Sequence, residues 1–189
     1  MIIPQKRSLR QVIIAGLAAL VAPLTGCVTG GSVGAFMGYN PPTMQSSLEF
    51  DSAITYGVRG GIKTKKGVEV EAEARFHDAY QNDGFQETNL IARDLSIGAV
   101  IPVRSNKGIT LYTVPKLICR NEKGIVRSIG IPGSDSPFDW NSTGFGVGVG
   151  ARVQAGKGSV DARVSYEGFG EGGYEESGVK FDVGYVLEF

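Results

Sequence analysis

Apolar and polar residues alternate along much of the chain after Ser32. Between Val68 and His77, valine, alanine and phenylalanine occupy every second position, and glutamate, arginine and histidine occupy the positions between them. The segment Val179–Phe189 has the same period, with valine, phenylalanine, tyrosine and leucine on one side. Successive side chains of a strand point to opposite faces, so each segment predicts a strand with one apolar and one polar face.

Six further segments show this period and are separated by turn signals. Pro115 interrupts the fifth of the predicted strands, where it cannot donate a ladder hydrogen bond. The eight predicted strands are Ser32–Asn40, Phe50–Ile62, Val68–His77, Leu90–Ile101, Ile109–Cys119, Thr143–Gln154, Ser159–Glu167 and Val179–Phe189.

The seven predicted connections alternate between long and short. The short turns are Lys63–Gly67, Ser105–Gly108 and Ala155–Gly158, and the longest loops are Asp78–Asn89 and Arg120–Ser142, with a Gly- and Glu-rich loop up to Gly178. Transmembrane barrels have short periplasmic turns and longer extracellular loops. We therefore expect both chain ends and the short turns in the periplasm.

Three features predict that the apolar faces point outward, towards lipid. The sixth strand has glycine at every second position from Gly144 to Gly150, which leaves room inside a narrow barrel. Aromatic residues fall near strand ends on the apolar faces, as in a membrane girdle: Tyr39, Phe76, Phe145, Tyr166, Tyr185 and Phe189. The polar faces carry both signs of charge, which permits pairing inside a barrel.

The predicted interior ion-pair network comprises Arg59, Glu69, Glu71, Glu73, Arg75, Arg152, Asp161, Arg163, Lys180 and Asp182. Asp94, Lys116, Glu167 and Glu188 lie on the same polar faces. The alternation is also compatible with a soluble barrel that has an apolar core and a charged exterior, such as a lipocalin-like cup.

The last strand contains Asp182-x-Gly184-x-x-Leu187-x-Phe189, which resembles the terminal signal of bacterial outer-membrane β-barrels. With eight strands, the chain resembles the small outer-membrane barrels of the OmpA and OmpX type. The resemblance implies an all-β fold over residues 32–189, an eight-stranded antiparallel up-and-down transmembrane β-barrel in outer-membrane lipid. It also implies that the barrel assembly machinery reads Asp182, Gly184, Leu187 and Phe189.

The first residues predict export. Basic residues precede an apolar run from Val12 to Leu24, and Leu24-Thr25-Gly26-Cys27 resembles the lipobox of bacterial lipoproteins. That resemblance implies a signal peptide over residues 1–26, lipidation of Cys27 and a short linker over residues 27–31. Ordinary signal cleavage near this point is the alternative. We expect Cys119 to be an unpaired thiol.

The composition limits the chemistry. The net charge is zero, which gives no basic stripe for nucleic acid, and two Cys with one His cannot build a zinc set, so no cofactor is expected. An eight-stranded barrel is filled by its own side chains. We therefore expect no general pore, and a small, gated ion leak is the alternative.

Two functional alternatives rest on outer residues. His77, beside Asp78 at the outer end of the third strand, resembles the catalytic His of lipid A-modifying barrels, but no Ser is close in the same strand. We therefore interpret His77 as a rim residue and expect no enzyme, with Ser46 and Ser142 able to approach only by loop folding. Aromatic residues of the outer loops predict contact with a surface partner or lipopolysaccharide: Phe138, Trp140, Phe169 and Tyr174. A lipid-anchored soluble barrel that binds a ligand or a host protein is the other alternative.

Overall fold

The computed structural model describes residues 28–40, 53–82, 85–131, 133–171 and 174–189. These residues form eight β-strands: β1 (Val28–Asn40), β2 (Ala53–Thr64), β3 (Glu69–Asn82), β4 (Gln86–Asn106), β5 (Ile109–Ser128), β6 (Ser136–Ala155), β7 (Gly158–Glu171) and β8 (Tyr174–Glu188). The described residues contain no helix that is both long and apolar enough to span a membrane.

The strands form a closed barrel in sequence order. Each strand pairs antiparallel with the next, and β8 closes the barrel on β1 through a register from Ser32↔Glu188 to Tyr39↔Phe181. The predicted fold, an all-β barrel of eight antiparallel up-and-down strands, is confirmed. The predicted start of the second strand at Phe50 lies outside the described residues.

Three of the predicted outer loops are largely strand, and those boundaries were wrong. β3 and β4 remain paired as far as Asn82↔Glu87, β5 and β6 as far as Val126↔Ser136, and β7 and β8 as far as Glu171↔Tyr174. The polar residues and glycines of these segments are typical of loops, but pairing with the neighbouring strand keeps the segments extended. Strand propensity depends on the neighbouring strands and not on local composition alone.

The predicted linker over residues 27–31 was also wrong from Val28 onward, because β1 begins there. The Gly31 amide donates to the Phe189 carbonyl at 2.7 Å, and the Phe189 amide donates to the Gly31 carbonyl at 3.0 Å. Thr64 pairs with Val28 from the other side. The start of β1 is therefore held between both neighbouring strands, a constraint that a local composition pattern does not reveal.

Pro115 lies inside β5, in the strand that it was expected to interrupt. It pairs with Val147 on β6, but the ladder to β4 is interrupted between Gly98↔Lys116 and Ile101↔Thr113. Because proline has no amide hydrogen, an interruption on one side is its physical consequence. The strand survives because the other ladder is continuous.

The polar faces of the strands point into the barrel and the apolar faces point out. Val183 on β8 is 59% exposed, whereas its neighbour Asp182 is 1% exposed. The same alternation holds on β7, where Val164 is exposed and Arg163 is buried. A soluble barrel of the lipocalin type has the opposite arrangement, with its apolar faces inside and its polar faces in water.

The two ends of the barrel differ in construction. We call the end formed by turns 65–68, 107–108 and 156–157 the short-turn end. The opposite end, where β3–β4, β5–β6 and β7–β8 connect, is the extended-hairpin end. β4, β5 and β6 have 21, 20 and 20 residues, against 12 for β2. The β3–β4 and β5–β6 hairpins therefore project beyond the rest of this end, where they stay paired as far as Asn82↔Glu87 and Val126↔Ser136.

Candidate functional site

The barrel interior is the most highly charged region of the described chain. Charged side chains of both signs are buried there in equal number, seven basic and seven acidic. They are Arg59, Arg75, Lys116, Arg120, Arg152, Arg163 and Lys180, with Glu69, Glu71, Glu73, Asp94, Asp161, Glu167 and Asp182. Burial of a charge is tolerated when the charge is paired, and the described contacts show how these are paired.

Two arginines pair with carboxylates nearest the short-turn end. Arg152 Nη1 lies 2.6 Å from Glu69 Oε2, and the Ser32 hydroxyl donates to the other oxygen of Glu69. Arg163 binds Glu71 with two nitrogens, at 2.8 and 3.1 Å. Such bidentate contact between guanidinium and carboxylate fixes geometry as well as charge.

Asp161 links this layer to the next. Arg59 Nη1 lies 3.0 Å from Asp161 Oδ2, and the Tyr112 hydroxyl donates to Oδ1 of the same carboxylate. The guanidinium carbon of Arg59 lies 4.3 Å from the ring centre of Phe36. Aromatic faces attract cations, so Phe36 covers part of a guanidinium that a carboxylate leaves uncovered.

Arg75 is the centre of the middle layer. It lies 2.6 Å from Asp182, 2.9 Å from Glu73 and 3.4 Å from Glu167. Lys116 Nζ lies 2.6 Å from Glu167. Arg75 is 1% exposed, so each of these contacts is made without solvent screening from bulk water.

A cluster around Asp94 forms the layer nearest the extended-hairpin end. Arg120 binds Asp94 through Nε at 2.8 Å and Nη2 at 3.1 Å, and Lys180 Nζ lies 3.5 Å away. His77 Nε2 lies 2.7 Å from Asp94 Oδ2, and His77 Nδ1 lies 2.9 Å from Asn40 Nδ2. Among the described residues, the side-chain hydrogen-bond partners of His77 are Asp94 and Asn40, neither of which carries a hydroxyl or a thiol.

Phe169 belongs to this layer, and its predicted position in an outer loop was wrong. It lies on β7, is buried, and has its ring centre 3.8 Å from the Arg120 guanidinium carbon and 5.8 Å from Lys180 Nζ. It therefore covers two interior cations instead of meeting a partner. The alternation of β7 places Glu167 inside the barrel, and it therefore also predicts that Phe169, two residues later, points inside.

The sequence-based network omitted four members, Asp94, Lys116, Arg120 and Glu167. Three had been placed on polar faces, but Arg120 was assigned to a loop because β5 was expected to end at Cys119. Once β5 is known to continue, the alternation of Lys116, Ile118 and Arg120 shows that Arg120 points inward. Glu188 lies at the barrel mouth, where it pairs with Lys63 at 2.7 Å.

The inward glycines of β6 provide space for neighbouring interior side chains. A Cβ atom on Gly150 would lie 2.3 Å from the Tyr112 hydroxyl and 2.8 Å from the Ala162 carbonyl oxygen. At Gly146, a Cβ atom would lie 3.1 Å from Glu167 and 3.2 Å from Lys116. Glycine at these positions therefore permits the close approach of the network to the strand.

We expect Gly150→Ala to destabilise the barrel by about 1–3 kcal/mol, because the added methyl group must displace Tyr112 or the backbone of β7. Gly60→Ala is the matched control, because a Cβ atom there has its nearest neighbour at 3.6 Å. The measurement is the midpoint of urea unfolding in lipid bilayers. Equal midpoints for the two variants would refute the packing role of Gly150.

The outward face carries aromatic side chains near both ends of the barrel. Tyr39, Phe145 and Tyr166 lie towards the extended-hairpin end, and Tyr185 and Phe189 lie towards the short-turn end; all five are exposed. Phe76, predicted with them, is half-buried because its ring stacks on Tyr56 with ring centres 5.6 Å apart. Aromatic rings at these two levels suit the two interfaces of a bilayer.

The predicted assembly signal occupies the closing strand. Asp182 points inside and pairs with Arg75, whereas Leu187 and Phe189 point outward and are exposed. A Cβ atom on Gly184 would lie 2.4 Å from the Ala35 carbonyl oxygen and 2.7 Å from Phe36. The glycine therefore has a packing role at the β1–β8 seam in addition to any part in recognition.

The extended hairpin of β5 and β6 carries aromatic and charged side chains beyond the rim. Phe138 and Trp140 lie on β6, not in a loop as predicted, with ring centres 4.8 Å apart, and Trp140 is 60% exposed. Lys123 pairs with Asp139 at 2.8 Å on the outer surface. Tyr174 begins β8, and Ser46 lies outside the described residues.

Neither a protein-family model nor a curated protein matches the sequence. Solved structures match the fold. Neisserial surface protein A (NspA) is 16% identical with a TM-score of 0.66, covering 86% of this chain and 99% of that one. Ail of Yersinia pestis, in complex with the heparin analogue sucrose octasulfate, is 14% identical with a TM-score of 0.56, covering 85% of this chain and 99% of that one.

These similarities agree with the geometry. The chain has the fold of the small eight-stranded outer-membrane β-barrels, with an apolar outer surface and a charged interior. At such low identity the similarity concerns the fold, and the function must be argued from the residues of this chain.

Proposed function

We propose that this protein is an outer-membrane β-barrel with a structural or surface-contact role, and that its interior is closed to general diffusion. The observation that carries the proposal is the opposite placement of charge and apolar surface. Seven acidic and seven basic side chains are buried inside, while valine, leucine and aromatic side chains are exposed outside. In water this arrangement would expose a large apolar surface, but in a bilayer it satisfies both surfaces.

Migration on unboiled gels tests the membrane barrel. Folded transmembrane barrels resist detergent unfolding, so we expect the unboiled protein to migrate differently from the boiled protein. We also expect extraction from membranes to require detergent. One mobility before and after boiling would support the lipid-anchored soluble barrel instead. In Cys27→Ser, which lacks the anchor, that soluble barrel would be released without detergent, whereas the membrane barrel would still require it.

The continuity of the interior contacts supports a closed barrel. Each layer of ion pairs shares a residue with the next, as Asp161 is contacted by Arg152 at 3.6 Å and by Arg59 at 3.0 Å. Planar-bilayer recordings should therefore show no large ohmic channel. A steady conductance of the size found for open porins would contradict the closed interior.

The extended-hairpin end supports a surface-contact role. Exposed apolar side chains lie there next to exposed ion pairs, and Phe85, Ile131 and Trp140 are all solvent-accessible. Side chains of this kind on a rigid scaffold suit contact with a partner surface or with lipopolysaccharide. The polyanion bound by Ail is not extended to this chain, because Lys123 and Arg127 are already paired with Asp139 and Asp135.

Removal of the one histidine tests the enzymatic alternative. Among the described residues, the side-chain hydrogen-bond partners of His77 are Asp94 and Asn40, so no Ser, Thr or Cys is bonded to it as a nucleophile would be. We expect His77→Ala to leave the acylation pattern of lipid A unchanged when the protein is produced in cells. A change in that pattern between wild type and His77→Ala, measured by mass spectrometry, would establish lipid A as a substrate.

Lipidation of Cys27 is a separate proposal, since this residue lies outside the described part of the chain. We expect cells to incorporate radiolabelled palmitate into the wild-type protein and not into Cys27→Ser. Cys119→Ser is the matched control and should retain the label. Retention of label in Cys27→Ser would refute the site, and absence of label from the wild type would favour ordinary signal cleavage.

A further inference from the structure

The short-turn end of the barrel carries a group of exposed basic side chains. Each of its three turns contributes at least one. They are Lys65 and Lys66 in the β2–β3 turn, Arg104 and Lys107 at the β4–β5 turn, and Lys157 in the β6–β7 turn. We call these five residues the basic rim.

Acidic side chains are scarce at the same end. Within residues 28–30, 63–68, 103–109, 155–158 and 187–189, the acidic side chain is Glu188, which pairs with Lys63 at 2.7 Å. None of the basic-rim residues has an acidic partner within 4.0 Å among the described residues. The basic rim therefore has a net positive charge that the protein itself leaves uncompensated.

The opposite end is different. Its exposed bases Lys123 and Arg127 lie 2.8 Å from Asp139 and 2.9 Å from Asp135, respectively. The hydrogen bond from Arg127 lowers the pKa of Asp135, so that this pair is ionised over a wide pH range. The charge asymmetry thus lies between a compensated end and an uncompensated one.

The basic rim lies next to the apolar band. Arg104 directly follows Val103, which is exposed on the outer face, and Lys107 comes two residues before the exposed Ile109. At about 3.3 Å per residue, these bases lie within about 3 to 7 Å of the band along the chain. The headgroup region of a bilayer occupies the first several ångströms beyond the hydrocarbon, so these side chains reach the level of lipid phosphates.

We propose that the basic rim is a binding surface for the phosphate headgroups of anionic phospholipids in the leaflet at the short-turn end. The proposal rests on the membrane insertion argued under the proposed function. Five bases spaced over three turns present separate charges around the barrel instead of one pocket, which suits a ring of headgroups. Bases near an anionic surface gain binding energy from its negative potential, and salt screens that gain.

A soluble anionic polymer of the cell wall is the competing partner. The position of the bases favours lipid, because a side chain such as Lys107 can extend sideways to a headgroup while its stem stays on the apolar band. A polymer would bind bases that project along the barrel axis, away from the bilayer. A register shift at Val103 pairs Arg104 with Leu111, which is exposed on the outer face, so Arg104 lies on the outer face as well.

The test uses spin-labelled lipids in phosphatidylcholine bilayers that contain the folded full chain. We expect spin-labelled phosphatidylglycerol to associate with the wild-type barrel about fivefold more strongly than spin-labelled phosphatidylcholine at low salt, as one basic residue at an anionic surface can produce. The preference should fall towards one in about 0.5 M NaCl. In K65Q/K107Q/K157Q, which loses one base from each turn, it should fall below about twofold.

The control is K123Q/R127Q, which removes the two exposed, paired bases of the opposite end and should keep the preference. A wild-type preference of one, or equal preferences in wild type and K65Q/K107Q/K157Q, would overturn the proposal. So would binding of wild type to isolated cell-wall polymer without any lipid preference. Inorganic phosphate at millimolar concentration should not compete. Failure of the barrel to insert at all would contradict the proposed function and is detected separately, by gel mobility.

Discussion

Replacement of Arg75 by methionine is expected to lower the free energy of unfolding by about 3–5 kcal/mol, because it leaves buried carboxylates without their partner. Arg75 lies within 3.4 Å of Glu73, Glu167 and Asp182, and all four side chains are buried. Methionine fills a similar volume, so the loss is chiefly one of charge pairing. Urea unfolding in bilayers of uniform lipid composition measures it.

Arg127→Met is the matched control. Arg127 also pairs with an aspartate, Asp135, at 2.9 Å, but both side chains are about half exposed, and water and salt screen such a pair so that it contributes little to stability. Arg75→Lys should lose less than Arg75→Met because it retains the positive charge. If Arg75→Met were as stable as Arg127→Met, the interior ion pairs would not be required for stability.

An arginine in place of Val183 is expected to cost about 2–4 kcal/mol, the amount found for arginine on the lipid-facing surface at the middle of a bilayer. Val183 lies halfway along the exposed apolar face of β8, between Val179 and Leu187. The reason is desolvation of the guanidinium, since lipid offers it no partner at this depth.

Leu187→Arg provides the control for depth. Leu187 is exposed on the same face but lies next to the short-turn end, where arginine should cost about 0–1 kcal/mol. The free energy of unfolding, measured in bilayers, should therefore be clearly lower for Val183→Arg than for Leu187→Arg. A protein that kept this face in water would tolerate both substitutions equally, and equal stabilities would contradict a bilayer around β8.

The sequence predicted the number of strands and the face that each strand presents. Alternation of residue type is a local property of an extended chain, so Val183 and Asp182 could be assigned to opposite faces without a structure. The outward direction of the apolar face was predicted from three features together: glycines such as Gly146 and Gly150 that leave room in a narrow interior, both signs of charge on the polar faces, and aromatic residues near strand ends.

Strand ends and network partners could not be predicted in the same way. Arg75 and Asp182 are 107 residues apart and meet only because β1 and β8 close the barrel. Arg120 and Phe169 were missed because the hairpins continue through polar and glycine-rich segments that resemble loops. Their positions depend on register between strands, which a single strand does not encode.

The depth of an aromatic probe tests the orientation of the barrel most directly. The chain has one tryptophan, Trp140, which lies beyond the rim at the extended-hairpin end. In W140F/V183W, bromine atoms deep in the acyl chains should quench the fluorescence strongly and aqueous iodide should not. Wild-type Trp140 should show the reverse. Quenching of W140F/V183W by iodide, without quenching by brominated lipid, would contradict a lipid-facing apolar surface.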